Sequence, residues 1–205
     1  MAHTVFFWFD FASTYSYLSA MRIGPLAKAS GVEVIWRPFL LGPIFRNQGW
    51  STSPFGVYPN KGRYMWRDME RRAARFGIPF NRPDPEDPRA FPQHSVLAAR
   101  AAQIAADEGQ GAEFCRAVFQ AEFAEGKDVS EAETLAEIAR GLGLPDDTLT
   151  RAVTVQNKTL LRERTEFATQ NGFFGAPTFM VGEEMFWGDD RLEDALAWAF
   201  SNDHA

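Results

Sequence analysis

Residues 4–9 read TVFFWF and residues 10–13 read DFAS, and this stretch decides the fold. The first six residues are β-branched or aromatic throughout, which is typical of a strand buried on both faces of an α/β sheet. Ser13 then stands at the N-cap position of an amphipathic helix, which Gly31 ends. Residues 32–36, VEVIW, predict a second buried strand. The chain is therefore predicted to open with a right-handed βαβ unit.

The middle of the chain is predicted to be helical. Seven prolines and glycines between residues 37 and 61 predict a long loop. From Gly62 the pattern predicts a helix whose inner face carries Tyr64, Trp66, Met69 and Ala73. Further helices are predicted over residues 93–108, 112–124, 130–142 and 146–170, the last with a break, and SEAE at residues 130–133 predicts a capping box.

Strand character returns near the end of the chain. Residues 178–181 and 184–187 flank Gly182-Glu183 as in a hairpin, and a helix over residues 191–200 follows. The order βαβ, helices, ββα predicts an α/β fold of the thioredoxin-like type, interrupted by a large all-helical insertion. The predicted thioredoxin-like domain comprises residues 1–61 and 171–205, and the insertion comprises residues 62–170.

Composition and charge exclude several classes of function. The 27 acidic and 21 basic residues give a net charge of −6 without a cationic tail, so no nucleic-acid partner is expected. The longest apolar stretch, Val5–Phe9, falls far short of the roughly 20 residues of a membrane span. No leader pattern is present, and a cytoplasmic location is expected. Because Cys115 is the single cysteine, intramolecular disulfides, cysteine-rich metal sites and two-cysteine redox centres are excluded, and thiol chemistry needs an external sulfur.

Two features lie where ligands bind in open α/β sheets, beyond the carboxyl ends of the strands. The helix that begins at Ser13 presents free N–H groups and the positive end of its dipole, which favour an anion such as a thiolate. The alternative is that Ser13 is only a helix cap. In GAPT, residues 175–178, Pro177 enters a strand without an N–H, so the backbone of Ala176 is available to a peptide-like ligand. The alternative is an ordinary turn proline.

Four motifs in order carry a family resemblance: FDFASTYSYL at residues 9–18, NKGRY at 60–64, GAPT at 175–178 and WGDDRL at 187–192. The chain resembles 2-hydroxychromene-2-carboxylate isomerases and kappa-class glutathione transferases, in the DsbA-like branch of the thioredoxin fold, over nearly its whole length. Ser13 and Ser16 fall where oxidoreductases of that branch have their two cysteines. Because two serines cannot cycle a disulfide, disulfide exchange is not expected.

The resemblance implies that glutathione supplies the sulfur and that Ser13, as the catalytic residue, holds it as a thiolate. It also implies that the bond before Pro177 is cis and that the backbone of Ala176 pairs with the cysteinyl part of glutathione. The remaining implied glutathione contacts are Lys61, near the glycyl carboxylate, and Trp187, Gly188, Asp189 and Asp190, the two aspartates receiving the γ-glutamyl end. No metal ion is expected.

The resemblance also implies a substrate site. Arg46 stands where kappa relatives have a lysine and is the candidate partner of a substrate carboxylate, whereas Phe45 stands where some isomerases have a lysine, which leaves the substrate open. The other candidate substrate residues are Asn47, Trp50 and Asn60, with Phe11 and Trp66 as further aromatic candidates. His94 is a candidate acid or base with a structural alternative, and Cys115 is expected to be packed.

The reaction implied is the glutathione-dependent interconversion of 2-hydroxychromene-2-carboxylate and trans-o-hydroxybenzylidenepyruvate, a step of the aromatic-hydrocarbon catabolism type. Two alternatives stay open. One is a kappa-like glutathione transferase or peroxidase, and the other is a non-catalytic glutathione-binding protein. A homodimer is expected because relatives form one.

Overall fold

The computed structural model describes residues 3–84, 86–87 and 91–201 of the chain. The strands are β1 (His3–Phe9), β2 (Val32–Pro38), β3 (Thr178–Val181) and β4 (Glu184–Trp187). The helices are α1 (Thr14–Ser30), α2 (Leu41–Asn47), α3 (Pro54–Val57), α4 (Pro59–Phe76), α5 (Val96–Asp107), α6 (Gly111–Phe123), α7 (Ala132–Gly141), α8 (Thr148–Ala152), α9 (Val155–Gln170) and α10 (Leu192–Ser201), and a 3₁₀ turn, Asp189–Arg191, precedes α10. No helix of these described ranges is long and apolar enough to cross a membrane.

The strands form one mixed sheet in the order β2-β1-β3-β4. β1 and β2 are parallel and joined by α1, which ends at Gly31 in the left-handed conformation. β3 lies antiparallel to β1, with Trp8 opposite Thr178, and β4 lies antiparallel to β3. This confirms the predicted βαβ and ββα units around a helical segment. The end of β1 and the start of β3 therefore meet at one edge of the sheet.

β1 is buried on both faces, as its composition predicts. On one face Phe7 contacts Trp36 and Phe179, with ring centroids 4.9 and 5.4 Å apart. On the other face Trp8 stacks on Phe167 of α9 at 5.2 Å. Each fully buried aromatic side chain contributes about 1.5–3 kcal/mol relative to exposure. This strand is therefore the part of the sheet that both layers of helices cover.

The segment between residues 37 and 61 differs from the predicted loop. It contains α2, α3 and the first residues of α4. Pro38 ends β2, and the other three prolines lie in first helical turns, which need no N–H donors. Pro54 and Pro59 begin α3 and α4, and Pro43 lies in the first turn of α2. The predicted domain boundary at residue 61 lies inside α4, and the division into two domains stays a prediction.

Two further local predictions are wrong. In α4 the predicted burial of Met69 and Ala73 is confirmed and Trp66 is partly buried, whereas Tyr64 is 61% exposed and Met65 is buried in its place. The capping box at residues 130–133 does not form, because the Ser130 hydroxyl donates to Asp128 at 2.6 Å instead of capping α7. The predicted break within residues 146–170 is confirmed between α8 and α9.

The helical part of the core holds a carboxyl group without a hydrogen-bond partner. Glu122 of α6 is 2% exposed, and both of its carboxyl oxygens are buried without a partner among the described residues. Burial raises the pKa of Glu122 well above its ordinary value of 4.5, and the nearby Asp10 and Asp128 raise it further. The folded protein therefore holds this proton at pH values where the unfolded chain releases it. Stability from this group is present below the unfolded pKa and is lost as the pH rises through the folded pKa.

We expect Glu122→Leu to raise the free energy of unfolding by about 1–3 kcal/mol at about pH 8, because it removes two unpartnered buried oxygens. At about pH 4 the gain should be smaller, since the carboxyl group is then protonated in both states. Urea unfolding at both pH values measures the difference. Glu113→Leu on the same helix, where the glutamate is exposed and pairs with Arg116, is the control, expected within about 0.5 kcal/mol of the parent. A gain that does not depend on pH would contradict the assignment.

Candidate active site

A cleft of about 1340 Å³ opens at the sheet edge where β1 ends and β3 begins. Its walls are the β1–α1 turn, α2 with the loop that follows it, α4, residues 91–96, and the residues on either side of the β3–β4 hairpin. The structure brings most of the predicted site residues together here: Ser13, Phe45, Arg46, Trp50, Asn60, Lys61, Ala176, Trp187, Gly188, Asp189 and Asp190. Their roles toward a ligand stay predictions.

Ser13 lies at the floor of the cleft and is 7% exposed. Its hydroxyl oxygen accepts a hydrogen bond from the N–H of Ser16 at 3.1 Å, which caps α1. The same hydroxyl donates to the carbonyl oxygen of Ala176 at 2.9 Å. Ser13 therefore joins the positive end of the α1 dipole to the backbone that leads into β3. The side chain of Ser16, at the second cysteine position of oxidoreductases, is fully buried.

The peptide bond between Ala176 and Pro177 is cis, as the resemblance implies. Pro177 is buried and does not line the cleft. Its carbonyl oxygen accepts a hydrogen bond from the N–H of Gly188 at 3.0 Å. Only glycine fits at position 175, because a Cβ atom there would lie 2.3 Å from Nε1 of Trp187. Trp187 also contacts Phe174 at 4.7 Å. The rings of Phe174 and Trp187 therefore line the cleft next to Ala176.

Asp189 and Asp190 are adjacent in sequence but have different surroundings. The Asp189 side chain is 1% exposed; its Oδ1 accepts from Ser19 at 3.1 Å and Arg22 at 2.9 Å, and its Oδ2 accepts from Arg72 at 3.0 Å. Burial lowers the pKa of Arg72, but the hydrogen bond and charge of Asp189 outweigh it and raise that pKa above its ordinary value. Both oxygens of Asp189 are thus engaged by groups of this chain at the cleft, and its predicted contact with a ligand ammonium stays a prediction. Asp190 is 57% exposed and remains available at the cleft.

Asp10 is a residue whose role was not predicted from the sequence. It is buried at the end of β1, and its two carboxyl oxygens accept from the N–H of Ala12 at 3.0 Å and the N–H of Leu41 at 2.7 Å. Burial raises the pKa of Asp10 in spite of these hydrogen bonds, which lower it. Asp10 thus connects the turn before Ser13 with the start of α2. A carboxylate directly after a buried strand is the sequence signal for this role.

α2 presents Phe45 and Arg46 to the cleft, and the Phe45 ring lies 5.9 Å from that of Trp50. Asn47 does not line the cleft, which corrects its prediction as a substrate residue. It lines a separate groove behind α2. The physical reason is the helical turn of about 100° per residue, which carries Asn47 away from the face of Arg46.

The opposite wall is a polar stripe on α4. Asn60, Tyr64, Asp68 and Arg72 follow one another at intervals of four residues and line the cleft together with Lys61. The Lys61 ammonium lies 4.9 Å from the centre of the Tyr58 ring. The hydroxyl of Tyr15 donates to Asp68 at 3.1 Å, and burial together with the negative charge of Asp68 raises the pKa of Tyr15. The four-residue spacing is the sequence signal for Asp68 and Arg72.

Two aromatic candidates lie outside the cleft. Phe11 is fully buried against Phe119, with ring centroids 4.8 Å apart, because it continues the apolar core from the sheet into the helices. Trp66 packs edge-on against Phe91 at 4.7 Å. The aromatic lining is supplied instead by Phe55, Phe91 and Phe174 beside Phe45 and Trp50.

The two remaining candidate residues are His94 and Cys115. His94 lies at the exposed margin of the cleft. Cys115 is packed in the core, as expected, and burial raises the pKa of its thiol. Within the described ranges, no three His, Cys, Asp or Glu side chains gather in a group that would hold a metal ion. The chemistry that the cleft itself offers is a hydroxyl, a helix N-terminus, the cations Arg46 and Lys61, and the exposed carboxylate of Asp190, which lies 3.6 Å from Arg191.

Comparison with known proteins agrees with the fold and with the resemblance. The family model of the DSBA-like thioredoxin domain matches residues 4–197. The 2-hydroxychromene-2-carboxylate isomerase of Sphingobium xenophagum is 30% identical over 197 residues, covering 94% of this chain and 96% of that protein. The glutathione S-transferase kappa 2 of Caenorhabditis elegans is 27% identical over 197 residues, covering 91% and 87%.

A solved structure shows the same similarity. The structure of a selenomethionine 2-hydroxychromene-2-carboxylate isomerase has a TM-score of 0.82 to this chain at 27% identity, with 95% of each chain covered. The similarity therefore extends over nearly all of both chains. The chain belongs to the family of DsbA-like thioredoxin domains, and the proteins similar to it include 2-hydroxychromene-2-carboxylate isomerases and kappa-class glutathione transferases.

Proposed function

We propose that this protein is a glutathione-dependent isomerase that interconverts 2-hydroxychromene-2-carboxylate and trans-o-hydroxybenzylidenepyruvate. The observation that carries the proposal is the Ser13 hydroxyl at the N-terminus of α1, hydrogen-bonded to the backbone of Ala176 within the cleft. The cleft contains no cysteine of its own, because the single cysteine, Cys115, is buried elsewhere. A thiol reaction in this cleft therefore needs a sulfur from a bound molecule.

The residues on one side of the cleft fit glutathione. When bound, glutathione supplies a thiolate that adds reversibly to the conjugated substrate and leaves after rotation about the bond made single. Ser13 and the first turn of α1 stabilise negative charge at this point, which lowers the pKa of a thiol from about 8.5 toward neutrality. The exposed carboxylate of Asp190 suits an ammonium group, and Lys61 suits a carboxylate.

The backbone near Ser13 fits the peptide part of the same ligand. In the structure the carbonyl oxygen of Ala176 accepts the Ser13 proton at 2.9 Å. A rotation of the Ser13 hydroxyl turns its proton toward a ligand sulfur and frees that carbonyl for a ligand N–H. The two hydrogen bonds of a bound cysteinyl group thereby replace one internal hydrogen bond, so no buried polar atom is left without a partner.

The other side of the cleft fits an aromatic carboxylate. Arg46 is a cation at the end of α2, and the rings of Phe45 and Trp50 beside it give an apolar surface for an aryl group. Asn60 stands on the facing wall as a neutral hydrogen-bonding group. These residues would hold the substrate with its conjugated carbon near the thiolate, and this positioning is their contribution to the rate.

An absorbance assay tests the proposal. Purified protein is incubated with 2-hydroxychromene-2-carboxylate, with and without glutathione, and we expect isomerisation that depends on both. Conjugation of chlorodinitrobenzene without isomerisation would assign the kappa-type transferase instead, the function suggested by the relative at 27% identity. If calorimetry detects glutathione binding but neither reaction occurs, the protein is a non-catalytic glutathione-binding protein. Absence of glutathione binding would overturn the proposal.

We also propose that the protein is cytoplasmic and forms a homodimer. A chain with one buried cysteine suits a compartment in which glutathione is reduced. The aromatic side chains of Trp198 and Phe200 on α10 are exposed and are available for contact with a second copy. Sedimentation of the purified protein measures the oligomeric state.

A further inference from the structure

A second cavity lies behind α2. It is a groove of about 330 Å³ between α2, α5 and α9. Its apolar surface is formed by Leu40, Pro43 and Leu161. Its charged lining comprises the cations Arg100, Lys158 and Arg162 and the carboxylate Glu166.

Two of these cations have no acidic partner. Arg162 pairs with Glu166 at 3.6 Å, whereas neither Arg100 nor Lys158 forms an ion pair with any residue that the structure describes. Nε of Arg100 is buried and has no hydrogen-bond acceptor among those residues. Because Arg100 lines the groove, an anion bound there would place a negative charge beside a guanidinium group that has no acidic partner among those residues. The excess of cations stands out in a chain whose net charge is −6.

The groove and the cleft share a wall. Leu40 and Pro43 line both cavities, and the N–H of Leu40 donates to the Thr165 hydroxyl on α9 at 3.2 Å. α2 places Asn47 in the groove, whereas its neighbour Arg46 lies in the cleft. A ligand that holds Asn47, Pro43 and α9 together would therefore also restrict the position of Arg46.

We propose that this groove is a second binding site, for a small organic dianion with an apolar body, such as an aromatic dicarboxylate, and that its occupation stabilises α2. One carboxylate meets Arg100 and the other meets Lys158, while the ring lies on the apolar surface of Leu40, Pro43 and Leu161. The Asn47 side-chain amide is a further hydrogen-bond donor for the ligand. The inference does not depend on the reaction proposed for the cleft.

Calorimetric titration with phthalate tests the site. We expect binding with a dissociation constant of about 1 mM or tighter, weakened at least about tenfold by Lys158→Met and by Arg100→Gln. Lys158 is exposed, so its replacement leaves the fold intact even if Arg100→Gln disturbs the packing. Arg140→Gln, an exposed arginine of α7 outside both cavities, is the matched control and should bind as the parent does.

Further titrations distinguish the groove from the cleft and an organic dianion from simpler anions. In Arg46→Gln the phthalate binding that is lost in Lys158→Met should persist, because Arg46 lines only the cleft, whereas any phthalate bound beside Phe45 and Trp50 should bind more weakly. Benzoate and inorganic phosphate should both bind more weakly than phthalate, and equal binding of either would overturn the assignment to an organic dianion. Phthalate should slow amide hydrogen exchange over residues 41–47. Absence of phthalate binding, equal binding by the Lys158 variant, or unchanged exchange in α2 would each contradict the proposal.

Discussion

Ser13→Ala is expected to lower turnover of the chromene carboxylate by about 10²–10³-fold, the loss typical of removing one donor that stabilises a developing or fixed anion. The Ser13 hydroxyl is the side-chain donor at the α1 terminus, where the thiolate is proposed to lie. Without it, the helix N–H groups still favour an anion, so glutathione binding should weaken less than turnover falls. The pKa of the bound thiol should rise toward about 8.5, and ultraviolet titration of the thiolate measures this shift.

The same substitution also removes a helix cap, which needs its own control. Loss of the Ser13 cap is expected to cost about 1 kcal/mol of stability. Thr154 caps α9 in the same way, accepting from the N–H of Asn157, and it lies outside the cleft. Thr154→Ala should show a similar loss of stability with turnover unchanged. Turnover of Ser13→Ala within a factor of two of the parent would remove this hydroxyl from the mechanism.

Asp189→Ala is expected to lower the free energy of unfolding by about 3–5 kcal/mol, which is the cost of breaking a buried ion pair from one side. The change leaves Arg22 and Arg72 close together without the carboxylate between them, and both guanidinium groups also lie near the ring of Phe76. Because Asp189 joins α1, α4 and the start of α10, the loss should appear in global unfolding. In thermal unfolding it corresponds to a decrease of about 6–20 °C.

The neighbouring aspartate is the matched control for this prediction. Asp190→Asn should change stability by less than about 0.5 kcal/mol, since its side chain is exposed. Under the proposed function it should raise the KM for glutathione. Asp189→Asn keeps the shape of the side chain but not its charge, and it should be destabilised to an intermediate degree. Equal stability of the Asp189 and Asp190 variants would contradict the structural role of Asp189.

Much of the fold could be predicted because its signals are local. The run of apolar residues in β1, the cap at Ser13 and the left-handed Gly31 all depend on neighbours within a few positions. The prolines of residues 37–61 give a wrong prediction for the same reason. A proline that begins a helix is the same residue type as a proline that prevents a helix. Only its position relative to the first helical turn distinguishes the two cases.

The site could be predicted in outline through the family resemblance, but its details could not. The aromatic lining illustrates the limit. Phe11 and Phe45 are both phenylalanines that the sequence offers as aromatic candidates for the site, yet Phe11 lies in the core and Phe45 lies in the cleft. Which one faces a ligand depends on where α6 and α2 pack, and no pattern near either residue records that.

By itself the sequence determined the order of the strands and of the longer helices, the missing redox cysteines, and the serine at the start of α1. Only the tertiary structure decided which of two adjacent aspartates is buried between two arginines and which is exposed at the cleft. The physical reason is distance along the chain: Ser19, Arg22 and Arg72, which neutralise and bind Asp189, lie 170, 167 and 117 positions from it. A carboxylate acquires its partners and its role from groups that folding brings near it, and a pattern read over a few residues does not contain these groups.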